Sequence, residues 1–344
     1  MTRPPLPFTA LAWTPDLAAA LGEAMAAIAR LDARICVSPF APAWTLRASW
    51  AGYATALRLQ QLELEEIDII AEQCGLRLAG RPLPQTTGTP FDAYGPWLAR
   101  LAEPEGRHWR EDLPFTFDPP AGWRDAPVLV RALTLLDAWA LTDRSSAPWL
   151  GLPIVLRRIG ITASPLPCLV AGGPGQRFAL DPRTAVLKRL CKQLRRSAED
   201  GLARLDRLEA GARRSAAAIA AEHRPGALAK LGRLALARPC LAARSVAPLL
   251  GITVSGAGKL LERATRLDLL VEISGRGTWR SYVTPDVALA LGLIAPDRGR
   301  PRTPPPSSPA LDTVLATFDA EMAALDARLD LLGVGSPTGF APTN

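Results

Sequence analysis

The chain has 344 residues, enough for two or three domains, and a hydrophobic content of 48% that excludes a largely unstructured protein. Its net charge of +7 is unevenly placed: residues 187–302 carry 22 Lys and Arg against 10 Asp and Glu, a balance of +12, which leaves −5 for the rest. A positive field gathered in one region fits a polyanionic partner better than it fits general solubility.

Residues 1–165 read as one mostly helical domain. Pro15-Asp16 opens a helix with Leu17, Leu21, Met25, Ile28, Leu31 and Ile35 on one face. After a Pro-containing turn at 38–42, a longer helical stretch runs from Trp44 to about Gly75 and holds the acidic patch Glu63, Glu65, Glu66 and Asp68. With no His, Cys or metal-like spacing beside it, the patch reads as a solvated helix face rather than acid–base machinery. Pro82, Pro84 and Pro90 mark a loop, and short helices are expected at 92–101, 126–141 and 149–159. Eight of the nine tryptophans (Trp13, Trp44, Trp50, Trp97, Trp109, Trp123, Trp139 and Trp149) fall in this region. They read as core packing, with a ligand pocket around Trp97, Trp109 or Trp139 as the alternative.

Residues 166–183 form an irregular connector that bends at Ala171-Gly172-Gly173-Pro174-Gly175. A long basic helix is expected at 184–222, with an apolar stripe of Leu187, Leu190, Leu194, Leu202, Leu205 and Leu208. Lys188, Arg189, Lys192, Arg195 and Arg196 crowd its first third. Such a helix is a solvated connector, a phosphate-contacting surface or a dimer seam, and the pattern alone leaves all three open.

The segment 226–295 has the pattern of a winged helix-turn-helix. Ala227 to Ala237 supplies its first helix. Val246, Ala247, Leu250 and Ile252 face inward, Gly251 supplies the tight turn, and Thr253 or Ser255 caps the next helix. That helix buries Ala257, Leu260, Leu261, Ala264 and Leu267 and turns Ser255, Lys259, Glu262, Arg263 and Arg266 outward. The run 269–273, the turn Ser274-Gly275-Arg276-Gly277 and the return strand from Trp279 to Val283 make a hairpin. In such a unit the second helix enters the DNA major groove and the hairpin reaches phosphate or minor groove. The expected DNA-contacting residues are therefore Thr253, Ser255, Lys259, Arg263 and Arg266 on the helix, with Arg276 and Arg280 on the wing. Gly256 and Gly258 weaken this helix by about 1 kcal/mol each relative to Ala.

Past Pro296 comes a Pro-rich linker, 296–309, and then an amphipathic helix, 310–333, built on Leu311, Leu315, Phe318, Met322, Leu325, Leu329 and Leu332. Its segment AEMAALDARL echoes AMAAIARLDARI at 24–35, so the two are candidates to pair. The five cysteines form no CxxC and only two histidines, His108 and His223, are present. This argues against a zinc site or a disulfide framework and fits a reducing cytoplasm. No leader pattern opens the chain and no apolar run approaches the ~18 residues of a membrane span. Gly258-Lys259 looks like the tail of a P-loop, but Leu260 stands where the magnesium-binding hydroxyl belongs and Thr253 replaces the first glycine.

The stretches ALRLQQLELEEIDI (56–69), EDGLARLDRLEAGA (199–212) and 241–283 resemble a family of bacterial proteins, often plasmid-borne in alphaproteobacteria, with a C-terminal helix-turn-helix. The resemblance implies DNA binding and no other biochemical activity. The layout is also similar to the flanks of Fic-type AMP-transferases. That class needs an HPFxxGNGR-like loop, and neither histidine here is followed by Pro-Phe or a glycine-rich anion loop.

The expectation is a mainly α, cytoplasmic DNA-binding protein, a transcriptional regulator with no cofactor and no catalytic site. Its partner would be double-stranded DNA, with homodimerisation and an unidentified effector left to the N-terminal domain. The competing readings are a protein-interaction adaptor of Fic-like layout without catalysis, and an enzyme with a site in the Trp-rich domain.

Overall fold

The first helix, α1 (Pro15–Val37), starts where the sequence says it should. The Thr14 hydroxyl accepts from the Leu17 N–H at 3.3 Å, and Pro15 sits in the first turn, where its missing N–H costs nothing. In the computed structural model the described residues are 6–76, 90–103, 113–173, 176, 182–273 and 280–295, with Thr317, Ala320, Ala323, Ala324 and Ala327 beyond them. The chain falls into two units, Met1–Ile294 and Ala295–Asn344. Those five isolated residues of the second unit are helical. The linker expected at 296–309 and most of the helix expected at 310–333 lie outside the described residues, as do Trp109 and His108.

The first unit is mainly helical. It continues through α2 (Ala41–Leu59), α3 (Glu66–Gln73), α4 (Tyr94–Ala102), α5 (Val128–Thr142), α6 (Ala147–Arg158) and the long α7 (Arg183–Ala221). It then runs through α8 (Leu228–Ala237), β1 (Cys240–Ala242), α9 (Ala243–Leu250), α10 (Val254–Arg266), β2 (Val271–Glu272), β3 (Ser281–Val283) and α11 (Pro285–Ala290). Among the described residues no helix is long and apolar enough to cross a membrane.

The α1 and α7 stripes bury each other. Leu17, Ala24, Ile28, Leu31 and Ile35 join Leu187, Leu190, Leu194, Leu205 and Leu208 in one core. Three ion pairs flank the seam: Asp16–Lys188, Glu23–Arg195 and Asp206–Arg34. Each keeps the same sequence offset of 172, so the helices run parallel and in register. The α7 stripe is thus covered within its own chain, and two of its five crowded cations face carboxylates of α1.

The expected single helix from Trp44 to Gly75 is instead α2 and α3. Gln61 adopts a left-handed φ of 64°, which ends the helical run, and the Glu65 N–H donates to the Asp68 carboxylate at 2.8 Å to start the next. The acidic patch is accordingly not a plain solvated face. Asp68 caps, and Glu66 pairs with Arg204 of α7 at 2.7 Å. Gly52 of α2 is required by close approach: a Cβ there would lie 2.0 Å from the Pro167 carbonyl oxygen.

Six of the seven described tryptophans are core. Trp44 and Trp149 are fully buried, and Trp50, Trp97, Trp123 and Trp139 nearly so, while Trp13 is half exposed. The indole N–H of Trp44 donates to Gly201 O and that of Trp97 to Leu150 O, each at 2.8 Å. Beside Trp139, Leu135 and Ile154 a cavity of about 20 Å³ remains, room for about one water molecule.

The three strands pair antiparallel in the order β1-β3-β2. Their alternation divides them between two cores. Val283 with Cys240, Val271 and Ile273 packs on the large helical core, whereas Leu241 and Tyr282 pack on a second core formed with α8, α9 and α10. Arg47, only 2% exposed, reinforces this junction. Its guanidinium donates to Ala43 O, Leu236 O and Thr284 Oγ1 and pairs with Asp286 at the start of α11. Burial alone would raise the Asp286 carboxyl, but Arg47 and the Thr284 hydroxyl outweigh it and hold it below the usual carboxylate range.

A disulfide, Cys74–Cys240, ties the end of α3 to β1 with the Cα atoms 5.6 Å apart. The scattered spacing argued against a disulfide framework, yet this one pair closes. The partners are 166 residues apart, and spacing along the chain carries no information about such a closure. Cys36, Cys168 and Cys191 are free.

Two outcomes follow from these junctions. Cys74→Ser is expected to lower stability by roughly 2–5 kcal/mol, read as a lower denaturant midpoint in oxidised protein only. An equal midpoint for wild type with and without reductant would show that the sulfurs are not bonded. Arg47→Ala strands Asp286 and is expected to cost about 3 kcal/mol. Because the Asp286 pKa is lowered on folding, its contribution is present at neutral pH. It is lost as pH falls below about 4, the unfolded carboxylate value, so wild type and variant converge in acid melts.

Candidate nucleic-acid interface

Two short helices, α9 and α10, meet through a three-residue turn. The Ala242 N–H donates to the Ser245 hydroxyl at 3.1 Å, which fixes the start of α9. The helix stops at Gly251, whose φ of +65° is strained for any residue with a Cβ. The Ile252 N–H then donates to Ala247 O at 3.0 Å, and the Thr253 hydroxyl accepts from the Gly256 N–H at 3.1 Å to cap α10. Val246 and Ala247 of α9 bury against Ala257, Leu261 and Ala264 of α10, so the small side chains at the crossing let the helices approach closely.

This packing sorts the expected site residues. Ser255, Lys259 and Arg266 are exposed and, with Glu262, follow one another at steps of four, three and four. At about 100° per residue these four share a single outward face opposite Ala257, Leu261 and Ala264. Thr253, exposed just before the helix, has its hydroxyl engaged as the cap.

Arg263 sits on the flank, half-buried, paired with Glu222 at the end of α7. Arg280 at the foot of β3 donates to Glu262 Oε1 at 2.9 Å and lies 3.6 Å from Glu272. Arg276 lies outside the described residues.

The structure also presents groups that the helical pattern undervalued. Val254 is 51% exposed and Leu249 47%, both beside the turn. Val254 is in phase with Ala257, Leu261 and Ala264, at steps of three, four and three, so the helical period alone would bury it; it is exposed as the first residue of α10. The partner of Arg263 had no local signal, because Glu222 is 41 residues away.

Elsewhere in the chain, burial pushes the Cys168 thiol up to about 12 and the Cys191 thiol to about 11, so neither is a thiolate nucleophile at neutral pH. Among the described residues no group of three His, Cys, Asp or Glu side chains is placed to hold a metal ion. The outward face of α10 carries two cations, a hydroxyl and a carboxylate. The chain matches no known family model, and no curated protein is similar to it.

Proposed function

We propose that the chain binds double-stranded DNA through a winged helix-turn-helix and acts as a transcriptional regulator. The observation that carries this reading is the outward face of α10, with Ser255, Lys259, Glu262 and Arg266 left uncovered while the opposite side of the helix is packed. The order α8-β1-α9-α10-β2-β3 supports it, because a helix so mounted can enter a major groove. The +12 balance of residues 187–302 supplies the long-range attraction.

In this mechanism Lys259 and Arg266 neutralise phosphates along the groove, Ser255 meets base edges near the helix start, and Arg276 contacts the backbone from the wing. Arg263 and Arg280 act through their ion pairs, as supports of the reading helix. The helical domain is left to oligomerise or to receive an effector.

A second reading, a protein-interaction adaptor, is favoured by the exposed Val254 and Leu249 beside the turn, since apolar groups there suit a protein surface.

Titration into random duplex DNA at about 50 and about 200 mM salt separates the two. The regulator reading predicts tight binding that weakens steeply with salt. Lys259→Ala and Arg266→Ala are each expected to weaken binding to every sequence and to flatten the salt slope by about one unit. Absence of binding at the lower salt concentration would sink the proposal and leave the adaptor reading.

A further inference from the structure

Glu262 is out of place on a face built to meet a polyanion. Its side chain is 50% exposed, and it stands between Lys259 and Arg266 in the middle of the outward row. A carboxylate there repels phosphates and lowers affinity for DNA of any sequence. It is nevertheless held in a fixed direction. Arg280 reaches from the start of β3 to Glu262 Oε1 at 2.9 Å and is itself steadied by Glu272 at 3.6 Å. As a fold-stabilising contact this pair is weak, because both partners are well exposed. Its geometric effect is larger: it fixes the rotamer of a side chain in the middle of the reading face.

An ionised carboxylate only accepts hydrogen bonds, and one engaged through Oε1 retains further acceptor sites. In the major groove the base donors are the cytosine N4 and adenine N6 amino groups. The adenine amino group lies beside the N7 lone pair, which repels a carboxylate, whereas the cytosine amino group is flanked on its own ring by a C–H. The geometry points to Glu262 as a specificity-determining residue that accepts from a cytosine amino group, with Arg280 as the positioning residue that aims it. This rests on the reading of α10 as a DNA-recognition helix. It adds that one base pair in the target is chosen by an acidic side chain, at the expense of general affinity.

The experiment is selection from a random duplex library by the full chain, run in parallel for wild type, Glu262→Gln and Arg280→Ala, with a melting temperature for each. Wild type is expected to enrich a site with cytosine at one position, preferred about tenfold over other bases. Glu262→Gln, whose amide pairs with adenine N6 and N7, is expected to change that position alone to adenine and to bind random DNA more tightly. Arg280→Ala is expected to blur the same position while the others, and the melting temperature, stay unchanged.

Identical enriched sites for wild type and Glu262→Gln would overturn the assignment. So would an Arg280→Ala variant that weakens binding to all sequences equally and lowers the salt slope, since that marks a phosphate contact. A wild type that binds DNA but enriches no sequence overturns the assignment while leaving DNA binding intact. A wild type that binds no DNA removes both.

Discussion

The three-stranded sheet has no free face, and most of the architecture depends on that. Strands alternate their side chains strictly, so a short sheet can serve two cores at once. Cys240, Val271, Ile273 and Val283 are committed to the helical core, and Leu241 and Tyr282 to the core under α9 and α10. A one-residue slip in β3 would send Val283 and Tyr282 each toward the core built for the other, and neither would fit. The Arg47 network and the Cys74–Cys240 bond lie at the same junction and secure it with charge and covalency. Helix α10 is therefore mounted on the helical domain through a shared layer rather than hung from a linker.

This mounting bears on how signals would pass on the proposed reading. An effector that shifts α2, α3 or α11 acts on elements that touch the sheet through Arg47, Cys74 and Val287. Packed layers of this kind respond as bodies rather than by gradual deformation. The two ion pairs around α10 add a second level. Glu222 fixes its flank through Arg263, and β3 fixes its outward face through Arg280.

What was legible in the sequence was local. The α1 and α7 stripes, the Gly251 turn, the Thr253 cap and the buried side of α10 follow from helical period and from a few residue types with narrow roles. What was not legible was every relation between distant segments. Carboxylates of α1 claim Lys188 and Arg195 of α7 at an offset of 172, and Cys74 finds Cys240 across 166 residues. Arg263 and Arg280 carry the right charge for a phosphate, yet each is paired with a carboxylate. The Gln61 break was missed for a different reason: glutamine rarely adopts a left-handed φ, so nothing in its type announces the end of a helix.

The parallel pairing of α1 with α7 has a consequence for how the chain is made. An apolar helix at the start of the molecule finds its partner only after about as many residues as the constant offset of 172 have been added. At 5–20 residues per second, synthesis leaves that stripe waiting for roughly 10–35 s. During that interval Leu17, Ile28, Leu31 and Ile35 lack the surface that covers them in the finished fold. The nascent chain thus presents an early greasy helix to chaperones and to neighbouring nascent chains. Synonymous changes that slow translation between α1 and α7 would lengthen that exposure without altering a single residue.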